Sequence, residues 1–206
     1  MKYTHIVFDV DGTLIDTEEA VLCSLKDVVS EILKIDMATD ELRFALGIPS
    51  NDAFRKLGID DFDYGNLLWQ KFFLKYSDSV KVFKGIHETL DNLSHQSYVL
   101  GILTSKTNAE YQSDFVPFGL ADYFKFVICA DDTVHHKPHS EPMTKFLEIS
   151  NTDAQKVLYI GDTAYDLECA KGANVDFALA LWGCKNPEGI RANYFLSSPH
   201  DIESLV

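Results

Sequence analysis

Five short apolar runs punctuate the chain: Ile6–Phe8, Tyr98–Leu103, Phe126–Ala130, Val157–Ile160 and Phe177–Leu181. A short continuous apolar run is the mark of a strand buried on both faces, as in a parallel-sheet interior. Segments of helical length separate the later runs. The alternation therefore predicts βαβ units around a parallel sheet, with helices on both faces. The spacing breaks between the first run and the second. Residues 9 to 97 hold no comparable strand run, far more chain than the dozen or so residues a crossover needs. Within that gap Val21, Leu22, Leu25, Val28, Val29, Ile32 and Leu33 recur with the period of an amphipathic helix. Asp16, with Glu19 three residues on, is placed to cap it. Shorter helices are predicted up to Leu46 and over Ala53–Leu57 and Leu67–Tyr76, with Gly47-Ile48-Pro49-Ser50 as a loop. The pattern predicts an α/β fold, a Rossmann-like parallel-sheet core from residues 1–15 and 81–206. A small helical domain, residues 16–80, is inserted after the first strand. Val82-Phe83-Lys84-Gly85 returns the chain to the core, and Ile86, Leu90 and Leu93 open the crossover helix.

Composition narrows this picture. A chain of 206 residues is long enough for one large domain, or a core with an accessory domain, around a well-buried interior. Hydrophobic residues at 46% and aromatics at 12% exclude a disordered chain. Asp and Glu outnumber Lys and Arg by 32 to 18, a net charge of -14. Such a chain lacks the basic face that nucleic acid requires. A phosphorylated ligand would have to be met by a few local lysines or a divalent cation. Cys23, Cys129, Cys169 and Cys184 are far apart and form no C-x-x-C pair, as expected of reduced thiols in a cytoplasmic protein. The first apolar run is too short for a signal peptide. No run reaches the roughly 20 residues of a membrane span. The expectation is a cytoplasmic monomer or homodimer that binds neither membrane nor nucleic acid.

The strand ends carry the candidate chemistry. The first run leads directly into Asp9-Val10-Asp11-Gly12-Thr13. Open α/β sheets place ligands at the carboxyl ends of their strands, and residues two apart on a strand share a face. Two carboxylates aimed at one place repel, so a metal, a shared proton or solvent must stabilise them. Gly12 permits a sharp turn and a close backbone approach to a ligand. The second run ends in Thr104-Ser105-Lys106, where hydroxyls and backbone N–H groups suit either an oxyanion or a helix N-cap. After the third run, Lys137 precedes Pro138, which pushes its backbone out of the helical region; it is either an exposed loop lysine or one aimed inward. His135, His136 and His139 beside it have no matching Cys or His set and read as solvent-facing loop residues. The fourth run ends in Gly161-Asp162-Thr163-Ala164-Tyr165-Asp166, where Asp162 either caps a helix or joins the acids of the first run.

In order, these clusters read D-x-D-G-T, Thr-Ser after an apolar run, Lys-Pro, and G-D-x-x-x-D. Over essentially the whole chain this pattern resembles the haloacid dehalogenase superfamily, in its phosphatase-like branch with a helical cap inserted after the first strand. Phosphoglycolate phosphatase-like enzymes are the members it most resembles. The resemblance implies roles residue by residue. Asp9 matches the nucleophile that forms an aspartyl-phosphate. Asp11 matches the general acid and base. Lys137 matches the lysine that neutralises the nucleophile and the transferring phosphoryl group. Gly12, Thr13, Thr104 and Ser105, with Lys137, match the loop-supporting and phosphate-binding set. Asp9, Asp11 through its main-chain carbonyl, Asp162 and Asp166 match the metal site, Asp166 directly or through water. An all-oxygen site favours Mg²⁺.

The implied activity is Mg²⁺-dependent hydrolysis of a small phosphorylated metabolite, phosphoglycolate-like or a sugar phosphate. Phosphate-monoester hydrolysis can demand about 10²¹-fold acceleration, supplied largely by positioning and electrostatics; that explains so many charges in one place. True dehalogenases lack an acid at the place of Asp11, and phosphonatases carry a small residue there. The alternatives within the superfamily are a phosphomutase of the β-phosphoglucomutase type and a pyrophosphatase. Such mutases carry a Lys before the cap-loop glycine and an Arg three residues after it, where this chain has Leu46 and Ser50. A catalytically silent ligand-binding relative would have lost one of the key groups, and none is lost. Asn174 stands where the family has Gly after Ala173, and Asn is the next-best residue for a left-handed helix end. Phe83-Lys84-Gly85 replaces the usual Tyr-Pro-Gly return. Arg43 and Arg55 either meet a substrate anion or solvate a helix face; the latter is the expectation.

Overall fold

The computed structural model describes residues 2–206. The chain forms two compact units. One joins the segment ending at Ile15 to Val82–Val206; the other is Asp16–Lys81.

The larger unit is built on a six-stranded sheet. Its strands are β1 (His5–Phe8), β4 (Val99–Leu103), β5 (Phe126–Ile128), β6 (Val157–Gly161), β7 (Asp176–Ala180) and β8 (Tyr194–Leu196), in the spatial order β5-β4-β1-β6-β7-β8. Every neighbouring pair is parallel. The chain builds outward from β1 to β4 and β5, then returns to β1's other side to lay down β6, β7 and β8. The strand order therefore reverses at β1, and that reversal opens a crevice at the carboxyl ends of β1, β4 and β6. Register fixes which residues meet there: Phe8 pairs with Ile102 on one side and with Ile160 on the other. The side chains that follow these three residues share one rim.

Helices α4 (Ile86–His95), α6 (Glu141–Ser150) and α7 (Ala164–Gly172) make the main crossovers, and the one-turn α5 (Asn108–Glu110) follows β4. Met143 and Phe146 of α6 and Cys169 and Ala170 of α7 pack with Val7, Tyr159 and Phe177 of the sheet in one buried cluster. Each fully buried Val, Leu, Ile, Phe or Met in such a core stabilises by about 1.5–3 kcal/mol. Gly101 sits mid-strand because an added Cβ would lie 2.3 Å from the Phe146 ring. Asn174 takes the left-handed conformation at φ 58°, as its position after α7 predicts.

The five apolar runs are all strands, with ends that differ from the runs by one or two residues. β8 has no counterpart among the predictions. It is an edge strand of three residues, with Phe195 half exposed, and it is reached from β7 without a helix. Asn193 holds it in place, donating its N–H to Phe177 O at 3.0 Å and accepting the Phe177 N–H on Oδ1 at 2.9 Å.

The smaller unit is helical: α1 (Glu18–Leu33), a 3₁₀ segment Thr39–Ala45, α2 (Ser50–Leu57) and α3 (Phe62–Tyr76). Leu22, Leu25, Val28 and Val29 of the predicted stripe are buried there. Three starts differ from expectation, the first being α2, which begins at Ser50, three residues early and inside the expected loop. Thr17, not Asp16, occupies the N-cap of α1, without a side-chain cap bond; the Asp16 carboxylate only accepts the Glu18 N–H at 3.4 Å. Helix α3 begins five residues early, because Asp61 accepts the Tyr64 N–H at 3.0 Å and caps it. Gly65 in its first turn leaves room for the Phe54 ring, which an added Cβ would approach to 2.8 Å. Arg43 pairs with Glu18 at 2.8 Å and Asp40 at 3.0 Å, and Arg55 pairs with Asp52 while lying 4.9 Å over the Phe62 ring. Both guanidiniums are thus engaged with local side chains of the helical surface. The chain passes from one unit to the other along the short strands β2 (Ile15–Asp16) and β3 (Lys81–Val82), which pair with each other. No helix among the described residues is long and apolar enough to cross a membrane.

Candidate active site

The sheet ladder carries on past β1 into the site. The Asp9 N–H donates to Ile160 O at 2.9 Å, so its backbone is set by β6. Beyond Asp9 the chain folds into a tight turn. The N–H groups of Thr13, Leu14 and Ile15 converge on Val10 O at 3.3, 2.9 and 3.1 Å, and Gly12 N–H donates to Ile15 O at 2.8 Å. Gly12 has φ +79°, and an added Cβ would lie 2.3 Å from Asp162 Oδ2. Backbone conformation and the approach of a carboxylate thus both require glycine. Thr13 is fully buried and donates its hydroxyl to Asp162 Oδ1 at 3.3 Å. The N–H groups of Gly12 and Thr13 are thus taken up by the turn, and the two residues shape the site and hold Asp162. A loop after β7 braces the same turn. Trp182 Nε1 donates to Thr13 O at 2.9 Å, and a Cβ at Gly183 would sit 1.7 Å from Gly12 O.

Lys137 points inward, the second of its two readings. Its side chain is 1% exposed. The ammonium donates to Asp9 Oδ1 at 2.8 Å, Asp166 Oδ1 at 2.7 Å and Tyr159 Oη at 3.3 Å, one acceptor for each hydrogen. The loop that carries it is clasped from outside. Glu141 accepts the Val134 N–H at 2.9 Å and the His135 N–H at 3.0 Å, its Oε2 lies 2.7 Å from His135 Nδ1, and the His135 and His139 rings stack at 4.6 Å. The Val134 N–H, then the His135 ring, hold the Glu141 carboxyl down to about 2. His135 and His139 are exposed, as expected. His136 departs, half-buried with an Nδ1 that has no hydrogen-bond partner.

Asp166, in the first turn of α7, is fully buried. Its Oδ1 accepts from Lys137 and from the Tyr159 hydroxyl at 2.8 Å. Its Oδ2 accepts the Thr163 N–H at 3.1 Å and hydroxyl at 2.6 Å. Thr163 accepts the Asp166 N–H in return, closing a capping box. Thr163 is therefore the cap of α7, and Asp162 is left to the acid cluster. Ligand oxygens of Asp9, Asp162 and Asp166 lie within 4.8 Å of one another. The Asp11 carboxylate stands outside that group, 3.3 Å from the ammonium of Lys106.

Charge in the cluster is unbalanced. Burial pushes the Asp9 carboxyl up to about 7, with Lys137 pulling against it and Asp166 and Asp11 adding to it. Burial likewise drives Asp162 well above the usual carboxylate range, reinforced by Asp166 and Asp9. Burial would raise Asp166 too, but Lys137, Thr163 and Tyr159 outweigh it and hold it below its ordinary value. Lys137 is pushed up, since Asp166 and Asp9 overcome the cost of its burial. Three carboxylates facing one ammonium, all offering oxygen, form a donor set that fits a hard divalent cation.

Thr104 and Ser105 follow β4 at its carboxyl end. The Thr104 N–H is spent in the sheet on Ile128 O at 3.0 Å, and its Oγ1 accepts the Lys106 N–H at 3.2 Å. The N-cap here is Thr107, in a capping box with Glu110. Ser105, between Thr104 and Lys106, is half-buried.

Sequence reasoning passed over four participants. Tyr159 lay inside an apolar run; a phenol buried in a central strand needs a polar partner, which was the available signal. Lys106 was read only as part of a loop. Trp182 and Gly183 act through contacts about 170 residues distant in sequence, for which no local signal exists.

The sequence matches the family model described as Haloacid dehalogenase-like hydrolase over residues 6–180. Pyrophosphatase PpaX of Bacillus mycoides (strain KBAB4) is 26% identical over 210 residues, covering 100% of this chain and 98% of its own. Pyrophosphatase PpaX of Bacillus velezensis (strain DSM 23117 / BGSC 10A6 / LMG 26770 / FZB42) is 27% identical over 205 residues, covering 98% and 95%. Among solved structures, a Lactobacillus plantarum protein provisionally designated a phosphoglycolate phosphatase superposes with a TM-score of 0.90 at 28% identity, over 100% of both chains.

Proposed function

The chain belongs to the haloacid dehalogenase-like hydrolase family, and from that premise we propose that it is a Mg²⁺-dependent phosphatase acting on a small phosphorylated metabolite through a phosphorylated Asp9. One observation carries the reading: Asp9, at the carboxyl end of the central strand, is held by Lys137 at 2.8 Å inside a cluster with Asp162 and Asp166.

Asp9 attacks phosphorus in line. A bond forms between its carboxylate oxygen and phosphorus as the bond to the leaving oxygen breaks. Asp11 gives the leaving oxygen its proton, then takes a proton from the water that attacks the phosphorus and frees Asp9. Lys137 spreads positive charge over the nucleophile and the transferring group. Tyr159 and Asp166 fix the ammonium, and Thr13 and Gly12 fix Asp162. Asp9, Asp162, Asp166 and the main-chain carbonyl of Asp11 would hold the divalent cation. The cation supplies charge that keeps Asp9 ionised and neutralises the phosphoryl oxygens. All four oxygen contacts of Asp166 are already made within the protein, which suits a support acting through water.

With p-nitrophenyl phosphate and Mg²⁺, phosphate release is expected. Chelator should lower it by about 100-fold or more, and excess Mg²⁺ should restore it. Full activity in chelator would contradict the reading. A second substrate reading is pyrophosphate, favoured by the two relatives named as pyrophosphatases that match along almost their full length. The same assay on phosphoglycolate, sugar phosphates and pyrophosphate, ranked by kcat/KM, decides between them. A mutase reading has less support: Leu46 replaces the expected Lys, and Ser50 donates to Asn66 Oδ1 at 2.7 Å within the helical unit.

A further inference from the structure

Lys106 is a buried lysine with no role in the mechanism so far. Its side chain is 9% exposed. It leaves the end of β4 and places its ammonium between two carboxylates, Asp114 Oδ2 at 3.1 Å and Asp11 Oδ1 at 3.3 Å. Its backbone is fixed twice, by its N–H on Thr104 Oγ1 at 3.2 Å and by the Ala130 N–H on its carbonyl at 2.8 Å. Asp114 is equally well seated. It lies in a π-helical turn, Tyr111–Phe115, a rare local geometry that often accompanies functional sites. Phe115 of that turn is fully buried, 5.3 Å from the Tyr111 ring and 6.2 Å from the Phe124 ring.

Burying an ammonium costs several kcal/mol unless it is paired, and Asp114 alone would pair it. The second partner is the informative one. Asp11 is the acid of the site whose side chain remains 24% exposed, on the turn that closes the rim of the sheet. A partly exposed carboxylate on a turn is oriented by the rigid groups it touches, and proton transfer depends on that orientation. We propose that Lys106 is a positioning residue: braced by Asp114 and the β4 backbone, it anchors Asp11 Oδ1 so that the carboxyl group faces the leaving oxygen. This inference rests on the phosphatase reading above.

The test uses the leaving group. p-Nitrophenolate departs without a proton, whereas an alkyl alkoxide needs one. The parameter is kcat/KM, which reports the steps through phosphoryl transfer to Asp9. Lys106→Met is expected to lose about 10-fold more on an alkyl phosphate than on p-nitrophenyl phosphate. Asp114→Asn, which keeps the lysine but loosens its brace, should show the same selectivity to a smaller degree and carries the test if Lys106→Met does not fold. Equal losses on the two esters for the variants that fold would overturn the proposal, leaving Lys106 as a structural ion pair. A wild-type protein that hydrolyses neither ester would overturn the phosphatase reading itself, a result distinct from equal losses.

Discussion

Asp9→Asn lowers kcat by at least about 10⁴-fold and leaves the fold in place. The size follows from the role: removing a nucleophile eliminates a covalent route, and losses of this order or larger are what such removals give. The intact fold follows from the geometry. Asparagine fills the same volume, Lys137 keeps its contacts to Asp166 and Tyr159, and one carboxylate leaves a cluster already pushed toward protonation. Initial rates on p-nitrophenyl phosphate with Mg²⁺, beside a thermal melt, check both halves. A variant that folds normally and retains a tenth of the activity would mean that phosphorus is attacked by some other group.

Lys137→Met should destabilise the protein as well as inactivate it. The ammonium lies between two buried carboxylates, and neither it nor they reach solvent. Removing one member of a buried ion pair strands the other charge, at a cost of about 3–5 kcal/mol. In a protein of this size that corresponds to a fall in Tm of roughly 6–20 °C. The melt is measured with chelator present, so that a bound cation does not offset the loss. Adding Asp166→Asn to Lys137→Met removes a stranded carboxylate and should recover much of the stability without recovering turnover. That pattern separates the two duties of Lys137. A single variant melting within a degree or two of wild type would show that the cluster does not depend on this ammonium.

The parts of the molecule legible in the sequence share a physical cause. Fully buried strands must be continuously apolar, so β1, β4, β5, β6 and β7 each left a run. A parallel sheet brings strand ends together, which is why the motifs carrying the family resemblance, at Asp9, Lys137 and Asp162 to Asp166, could be read as one site. What escaped lacked a local signature. β8 is an edge strand of three residues, too short for a pattern and placed by Asn193 against β7. The first turn of α3 mixes aromatic, acidic and glycine residues with no helical stripe, and only the Phe54 ring explains its glycine. Where the N–H groups of Gly12, Thr13 and Thr104 point had no local signal either; the turn and the sheet take them up. Trp182 and Gly183 brace the catalytic turn from the other end of the chain, visible only once the sheet is assembled.

The central claim is a covalent phosphorylated Asp9, and chemical trapping addresses it directly. Enzyme mixed with substrate and Mg²⁺ is quenched in acid within one turnover and treated with borohydride, which reduces an acyl phosphate to the alcohol. Peptide mass spectrometry then locates the reduced residue. The mechanism predicts homoserine at position 9, formed only when substrate and Mg²⁺ are both present and absent in Asp9→Asn. Reduction at another carboxylate, or none while phosphate is released at full rate under conditions where the acyl phosphate should accumulate, would contradict it.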